Sequence, residues 1–279
     1  MSFWVAALPM YDWPEARAEV DGEWAALRGR LRNAGIDAPE KLARRNADLP
    51  PAPGGIRNAE GQVIAPDPAT LPPDDLHLAA LWRHPRLLLA QTCWGPMEEG
   101  LSDHVVVVGQ PDYSAYRGGA GDFYSSAILM RRGQSEPVVT GRLPSGETGN
   151  KAAAQFPLRK LCGKRFAFNA PDSMSGYIAL SRDLEATGES LALFSDLVET
   201  GAHRASIRAV AEGRADACAV DCRSWALALA FEPAASELDV VGWTRKRLGL
   251  PFIASRHLPS GMVEALREAL QPSRRASSG

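Results

Sequence analysis

The most informative segment of the chain is residues 164–177, with the sequence Lys-Arg-Phe-Ala-Phe-Asn-Ala-Pro-Asp-Ser-Met-Ser-Gly-Tyr. The apolar run Phe166–Phe168 predicts a buried strand, residues 169–172 break it, and Ser173 or Ser175 supplies the N-cap of a helix. Helix starts carry unpaired backbone N–H groups and the positive end of the helix dipole, and glycine lets backbone approach a ligand. Two hydroxyls beside a glycine at such a start predict a site for a tetrahedral oxyanion. In the alternative interpretation, Ser173 only caps its own helix.

Composition indicates an ordinary globular protein that is long enough for one large or two modest domains. Of its 279 residues, 45% are apolar and 23% are charged, which are typical proportions for a globular chain. The net charge is -2 at pH 7, and the chain has no sustained basic block. These features argue against nucleic acid and against an anionic membrane surface as partners. A bound anion would therefore be held by local donors.

Residues 1–12 lack the positive region and the apolar core of a signal peptide. The chain as written is therefore expected in the cytoplasm, and in the periplasm if a leader is missing from this start. No apolar run approaches the ~20 residues that span a bilayer, so no membrane insertion is expected. The cysteines lack metal-ligand spacing, and we expect reduced thiols, no metal and no cofactor; they are Cys93, Cys162, Cys218 and Cys222.

A strand, a loop and a helix open the chain. Residues 3–10 form an apolar run, and the helix predicted over 14–33 has one apolar stripe, formed by Val20, Trp24, Leu27 and Leu31. Such units build open α/β sheets, in which ligands collect beyond the carboxyl ends of the strands. Tyr11 follows the first strand and is therefore a candidate ligand contact, although an aromatic residue at a strand end is just as often part of the core.

The next part of the chain combines a proline-rich insertion with two further strands. The prolines of residues 46–75 predict an extended surface insertion with a short hairpin around 58–61. The strand predicted at 86–91 is followed by Trp94, which either lines a ligand site or packs in the core. The run Val105–Val108 predicts a fully buried strand in a parallel sheet.

Strands and helices alternate again after a glycine-rich crossover at 133–149, which predicts a second lobe. The predicted helices are 152–161, 175–186, 203–212, 223–230 and 260–270, and the predicted strands are 165–169, 197–200, 217–221, 238–244 and 250–254. Successive strand ends in this lobe lead to Ser173 with Ser175, to Thr200 with His203, and to Asp221.

His203 and Asp221 extend the candidate site. A histidine in the first turn of a helix is disfavoured as a cation, so His203 is predicted to be a neutral donor to an anion. Together with a serine, these residues also supply the residue types of a Ser-His-Asp hydrolase. The nucleophile elbow Gly-x-Ser-x-Gly is absent from the candidate segment, but triads occur in several chain orders, so a hydrolase stays an alternative.

Several segments carry a resemblance to a known family; they are 8–12, 88–96, 169–177, 199–206, 213–217, 220–222, 225–227 and 249–253. Their most specific motifs are Ser-x-Ser-Gly and Thr-Gly-x-His. Together they resemble the substrate-binding proteins of phosphate, phosphite and phosphonate ABC transporters, the PhnD-like family of type II periplasmic binding proteins. The resemblance implies an α/β, two-lobed fold in which each lobe is a mostly parallel sheet flanked by helices, with a ligand cleft between lobes that close in a hinge motion.

The resemblance also implies the lobes and the ligand contacts. One lobe is expected to contain 1–112 and 223–279, including the insertion 46–75, and the other to contain 113–222. The family's anion cradle falls on Ser173 and Ser175, and its oxyanion-contacting histidine falls on His203. The remaining expected ligand-binding residues are Tyr11 and Trp94 from the first lobe, Tyr177 from the second, and Asp221 near the hinge.

Departures from the family pattern narrow the ligand. Met174 replaces a residue that is often polar in phosphonate binders. Members that bind aminoalkyl phosphonates carry acids for the ammonium group, and those positions fall on Arg223 and Leu250 here. This argues against an amino-bearing ligand and leaves phosphate, a simple phosphonate or another small anion.

The sequence thus predicts a non-enzymatic binding protein for a small oxyanion, without catalytic residues. It would serve an ABC transporter permease or be a cytoplasmic relative of such proteins. Two alternatives stay open. One is an enzyme on the same fold that uses Asp221 or His203 as acid or base on a small anionic metabolite, and the other is an interaction protein that has lost its ligand.

Overall fold

The computed structural model describes residues 3–133, 154 and 157–271. Most of the crossover predicted at 133–149, part of the helix predicted over 152–161, and the polar end after residue 271 lie outside these ranges. The strands of the described ranges are β1 (Val5–Ala7), β2 (Ile56–Arg57), β3 (Val63–Ala65), β4 (Leu87–Gln91), β5 (Val105–Gly109), β6 (Gly119–Ala120), β7 (Phe123–Tyr124), β8 (Ser126–Arg131), β9 (Arg165–Phe168), β10 (Asp196–Glu199), β11 (Ala217–Asp221), β12 (Leu238–Trp243), β13 (Arg247–Leu248) and β14 (Phe252–Ser255).

The helices of the described ranges are α1 (Arg17–Asn33), α2 (Leu78–Trp82), α3 (Trp94–Glu98), α4 (Leu158–Leu161), α5 (Ala179–Glu185), α6 (His203–Ala211), α7 (Cys222–Phe231) and α8 (Ser260–Leu270). A π-helical turn over Met174–Ile178 leads directly into α5. Short 3-10 turns lie at Pro14–Ala16, Asn46–Asp48, Pro68–Thr70, Leu101–Asp103, Leu191–Leu193 and Pro233–Glu237.

The described residues form two compact units. The terminal unit comprises those within 1–92, 96–110 and 250–279, and the central unit comprises those within 93–95 and 111–249. The sequence-based division placed 223–249 with the termini, but these residues belong to the central unit. The reason is that β12 pairs with β8 from Leu238 to Trp243, which fixes this segment to the central sheet.

Helix α1 organises the core of the terminal unit, as its sequence pattern predicts. The stripe of Val20, Trp24, Leu27 and Leu31 is buried. These side chains form one apolar cluster with residues of β4 and α8, and each contributes about 1.5–3 kcal/mol on burial.

The terminal sheet is mixed. Its strand order is β1-β4-β14-β5, with β1 parallel to β4 and β14 antiparallel to both β4 and β5. The prediction of a parallel sheet from Val105–Val108 was wrong, because β14 pairs with this strand in the opposite direction. An apolar run does not reveal the direction of a neighbouring strand.

The central sheet is also mixed, and it positions the candidate site. Its order is β10-β9-β11-β8-β12, in which β9 is parallel to β10 and to β11, while β8 is antiparallel to β11 and to β12. The expected mostly parallel sheet therefore holds only for the three strands followed by helix starts. Since the carboxyl ends of parallel strands meet at one edge, the π-helical turn, α6 and α7 all begin at that edge.

The proline-rich segment is more ordered than an extended insertion. Strands β2 and β3 form the hairpin predicted around 58–61. The buried Asn46 side chain donates to the Pro72 carbonyl at 2.8 Å and accepts the His77 N–H at 2.9 Å. These hydrogen bonds tie the two ends of the insertion together.

The described ranges offer neither a membrane span nor a metal centre. No helix in them is long and apolar enough to cross a bilayer. They also contain no group of three or more His, Cys, Asp and Glu side chains that could hold a metal ion. The cysteines are unpaired, with Cys218 and Cys222 buried and Cys162 exposed.

Candidate functional site

Ser173 caps the π-helical turn that follows β9. Its hydroxyl oxygen accepts the Gly176 N–H at 3.1 Å, and the residue is buried. The capping alternative considered from the sequence therefore describes Ser173 in this structure. One helix-start donor of the predicted cradle, the Gly176 N–H, is consequently occupied by the protein itself.

Ser175 behaves differently from Ser173. Its hydroxyl oxygen lies 2.9 Å from Nε2 of His203, and the residue is only 3% exposed. His203 is the first residue of α6, whose preceding residue, Ala202, offers no side-chain cap. The hydrogen bond therefore joins two helix starts that are far apart in sequence.

Gly176 makes this approach possible. A Cβ atom at this position would lie 1.9 Å from Oδ1 of Asn169 and 3.2 Å from Cε1 of His203. Only a residue without a side chain lets the two groups pack on this turn. The glycine of the Ser-x-Ser-Gly motif thus serves close packing of protein groups around the candidate site.

Asp221 ends β11 and caps α7. Its Oδ1 accepts the N–H groups of Arg223 at 3.0 Å and Ser224 at 2.9 Å. Its Oδ2 lies 3.5 Å from Nε2 of His203, and its side chain is only 3% exposed. The structure thus brings Ser175, His203 and Asp221 together, as the sequence predicts.

The His203 ring is neutral at pH 7. Burial lowers its pKa, and the nearby Asp221 carboxylate raises it by less, so the pKa lies below the usual value for histidine. Nε2 faces both the Ser175 hydroxyl and the Asp221 carboxylate, which only accepts, so we assign the ring proton to Nε2. Nδ1 is then an acceptor, and it is buried without a hydrogen-bond partner among the described residues.

This arrangement differs from a Ser-His-Asp triad. In a triad the serine contacts Nε2 and the carboxylate holds the opposite nitrogen, Nδ1, so that Nε2 is a base. Here Ser175 and Asp221 both face Nε2 of His203. A proton on Nε2 leaves no lone pair there to take the serine proton.

Trp94 belongs to the central unit, not to the lobe in which the sequence placed it. Its indole N–H donates to the Gly249 carbonyl at 2.6 Å. The neighbouring Cys93 thiol accepts the Met174 N–H at 3.2 Å. A Cβ atom on Gly95 would meet the Asp172 carbonyl oxygen at 1.6 Å. Residues 93–95 are therefore docked on the turn that carries Ser173 and Ser175, which explains their place in this unit.

Tyr177 and Tyr11 are the two remaining ligand contacts predicted from the sequence. The Tyr177 ring packs on Phe168, with 4.7 Å between the ring centroids, beside the apolar cluster of the central unit. Tyr11 is a buried residue of the terminal unit. A ligand contact by either tyrosine stays a prediction.

Buried polar residues near the site escaped the sequence analysis. The hydroxyls of Tyr124 and Ser126 are buried and have no hydrogen-bond partner among the described residues. Ser126 lies opposite Asp221 in the pairing of β8 with β11. Burial raises the pKa of Tyr124 well above its usual value, and the nearby Asp221 adds to this increase. The register of β8 and β11 places Ser126 beside Asp221, and the sequence carries no signal for this register.

Comparisons with known proteins agree with the fold. A family model described as "ABC transporter, phosphonate, periplasmic substrate-binding protein" matches residues 114–275, more than half of the chain. PhnD1 from Prochlorococcus marinus, solved in complex with methylphosphonate, is 16% identical with a TM-score of 0.58, and the match covers 96% of this chain and 84% of that one. A search of curated proteins gave no match.

Two further solved structures have similar folds. A Xanthomonas citri protein bound to a chloride ion is 15% identical with a TM-score of 0.56, over 96% of this chain and 83% of that one. A binding protein component of an ABC phosphonate transporter from Pseudomonas aeruginosa is 14% identical with a TM-score of 0.53, over 95% and 73%. The predicted α/β fold class, that of periplasmic binding proteins, is confirmed by these matches.

Proposed function

This chain belongs to the family of periplasmic substrate-binding proteins of phosphonate ABC transporters, and we propose that it binds a small phosphonate or phosphate at the Ser175–His203 pair of the central unit. In this proposal the protein is a periplasmic solute receptor that hands its ligand to a membrane permease. It uses no metal and no cofactor.

The contact between Ser175 and His203 is the observation that carries the proposal. It unites the positive ends of two helical segments, and backbone N–H groups at such ends favour a compact anion. The residues around the contact are largely buried. Hydrogen bonds to an anion strengthen in such an environment, which offsets the net charge of -2 of the chain.

The ligand class follows from the side chains at the family's positions. Met174 brings no side-chain hydrogen-bond donor to the cradle. Arg223 and Leu250 stand where an ammonium group would need acids. A phosphonate without an amino group, or phosphate, suits this set best. PhnD1 was solved with methylphosphonate, so methylphosphonate is the first probe.

We infer binding without turnover. The triad alternative needs a basic nitrogen facing the serine, and the proton assigned to Nε2 of His203 removes it. Incubation with methylphosphonate and with phosphate esters should leave both chemically unchanged, as followed by phosphorus NMR. Turnover that disappears in a Ser175→Ala variant would favour the enzyme instead.

Isothermal titration with methylphosphonate and with phosphate tests the binding site. Removing a hydrogen bond to a charged ligand typically costs about 1.5–3 kcal/mol, so Ser175→Ala and His203→Ala should each weaken binding by about tenfold or more. Ser181→Ala and His257→Ala are matched controls, because Ser181 bonds Glu185 within α5 and the His257 side chain is exposed. Unchanged affinity in both site variants, with a binding wild type, would refute this location.

A further inference from the structure

We infer that His203 takes up a proton from solvent on Nδ1 when the anion binds, and that the side-chain oxygen of Asn169 accepts a hydrogen bond from this new N–H group. The inference rests on the proposed function and deepens it. It concerns the charge of the protein in the complex, and it assigns a positioning role to Asn169, a residue outside the predicted set of ligand contacts.

Asn169 follows β9 and contacts the segments in front of both helical starts of the site. Its backbone carbonyl accepts the Gly201 N–H at 2.9 Å, two residues before α6 begins. Its side chain packs on Gly176 of the π-helical turn, because a Cβ atom on that glycine would lie 1.9 Å from Oδ1 of Asn169. The amide is therefore placed by the two segments that carry Ser175 and His203.

The side chains of Asn169 and His203 lie on the same side of Gly176. The Cβ atom that would overlap Oδ1 of Asn169 would lie 3.2 Å from Cε1 of His203, which is bonded to Nδ1. Oδ1 of Asn169 and Nδ1 of His203 are both buried, and neither has a hydrogen-bond partner among the described residues. Two buried acceptors thus pack against one glycine, and each of them needs a donor.

A proton on Nδ1 of His203 meets both needs. It converts one of the two acceptors into a donor, and the amide oxygen of Asn169 is the acceptor beside it. The proton assigned to Nε2 already faces Ser175 and Asp221. With both nitrogens protonated, the ring carries a positive charge and still donates from Nε2 toward the anion site.

The free protein does not hold this second proton at pH 7. Burial lowers the pKa of His203 by more than the Asp221 carboxylate raises it. The positive end of the α6 dipole also opposes a cation in the first turn. A bound anion counteracts both effects, because an opposite charge within about 4–6 Å favours the charged form of histidine. Binding of the anion and binding of the proton should therefore reinforce each other.

The charged and titratable groups around the ring come from several elements and leave this coupling in place. Asp221, at the end of β11, acts directly on the ring. Cys93 and Tyr124 lie near the same carboxylate, and burial raises the pKa of both, so they stay neutral near pH 7. Asp172 adds a carboxylate near Cys93. On α6 itself, Arg204 is bonded to a carboxylate just after α7.

The test is nitrogen NMR of the histidine rings in the full chain, free and saturated with methylphosphonate at about pH 7.5. The His203 signals are assigned by their loss in His203→Gln. In the free protein we expect one protonated nitrogen, Nε2, and an unprotonated Nδ1. In the complex both nitrogens should be protonated. The measurement reports the ring itself, so protonation of the ligand does not affect it.

Asn169→Leu is the decisive variant, because leucine is of similar size and offers no acceptor to an N–H group on Nδ1. It should leave Nδ1 unprotonated in the complex and weaken methylphosphonate binding by about tenfold, as measured by isothermal titration. Asn169→Asp keeps the acceptor and adds a negative charge, so the ring should stay protonated in its complex.

Asn58→Ala is the matched control. It removes an amide that bonds Gln62 in the hairpin of the terminal unit, so the His203 signals and the affinity should equal those of the wild type. Thermal melting checks that each variant is folded. The wild-type spectra test the inference even if Asn169→Leu does not fold.

The possible failures can be told apart. An unprotonated Nδ1 in the saturated wild type, a doubly protonated ring in the free protein, or a doubly protonated ring in the Asn169→Leu complex would overturn the inference while the proposed function stands. Absence of binding for both methylphosphonate and phosphate would overturn the proposed function and this inference with it.

Discussion

Helix α7 has a buried carboxylate at each end, and the protein surrounds them differently. Glu232, just after the helix, has a side chain that is 4% exposed and accepts hydrogen bonds from Arg204 at 2.6 Å and Arg208 at 2.9 Å. Asp221, just before the helix, is 3% exposed, is held by two backbone N–H groups, and lies 3.5 Å from the neutral His203 ring.

The difference separates a carboxylate that holds two helices together from one that lies beside the proposed anion site. Two guanidinium groups neutralise the Glu232 carboxylate, so its role is to hold α6 to the end of α7. Two backbone N–H groups hold one oxygen of Asp221, and its second oxygen faces the pair that we propose as the anion site. Variants at Glu232 should therefore affect mainly stability, whereas variants at Asp221 should also affect anion binding.

Glu232→Ala should have the largest effect on stability. It leaves the Arg204 and Arg208 charges without their shared acceptor, and breaking a buried ion pair costs about 3–5 kcal/mol. The arginine side chains are 23% and 49% exposed, so water screens part of the loss, and we expect a decrease of about 2–3 kcal/mol in the free energy of unfolding. Urea denaturation followed by circular dichroism measures it.

The control for that variant is Glu212→Ala, which breaks the Glu212–Arg214 pair on the surface. Both of these side chains are 56% exposed, so the expected change is below about 0.5 kcal/mol. Comparable losses in the two variants would mean that Glu232 has no special structural role, and the contrast between the ends of α7 would fail.

Gly176→Ala tests the packing around His203, which lies beside Asp221. The new methyl group would overlap Oδ1 of Asn169 and crowd the His203 ring, and overpacking of this kind costs about 1–3 kcal/mol. Methylphosphonate affinity should fall as well, because the Ser175–His203 contact shifts. Gly22→Ala is the control: its Cβ atom meets open space on α1, so stability should rise by about 0.5–1 kcal/mol. Equal behaviour would contradict the packing role of Gly176.

Asp221→Ala and Asp221→Asn separate the capping role of Asp221 from the role of its charge. Alanine removes the cap of α7 and should lower the free energy of unfolding by about 1 kcal/mol, whereas asparagine keeps the cap and should change it by only about a few tenths. Thermal melting without ligand gives both values. A large loss with asparagine would show that the charge itself, not the cap, supports the fold.

Lowering the pH should have the smallest effect on stability, and this effect should come from Glu232. Burial raises the pKa of Glu232, but the hydrogen bonds from Arg204 and Arg208 together lower it by a larger amount. The folded-state pKa therefore lies below the ordinary value of 4.5. The resulting stabilisation is complete above that value and is lost as pH falls through the folded-state pKa. The melting-temperature difference between wild type and Glu232→Gln should therefore be constant near neutral pH and narrow below pH 4.5. A difference that widens in acid would contradict this pairing.

Local patterns predicted several elements of both units, including the strand that ends at Asp221. The apolar stripe of α1, the strand Ala217–Asp221 and the helix Ser260–Leu270 occur where their apolar patterns place them. The three polar residues Ser175, His203 and Asp221 were also found from the sequence, because each follows the end of a strand. Capping chemistry and apolar spacing are properties of residues close together in the chain, so both can be predicted from the sequence.

Other features depend on long-range contacts. The direction of β14, the docking of residues 93–95 on the Ser173 turn and the two arginines on Glu232 all join distant parts of the chain. The sequence treats Ser173 and Ser175 as equivalent hydroxyls. They differ because the turn aims one at its own backbone and the other at a helix that begins 28 residues later.

Sequence patterns thus establish the α/β elements and the set of residue types at the strand ends, since these follow from spacing and from local hydrogen bonding. Packing in three dimensions establishes which serine faces His203, which nitrogen of that ring is occupied, and that two arginines of α6 share the Glu232 carboxylate. Those outcomes depend on distances between side chains from different strands and helices, and no spacing along the chain encodes such distances.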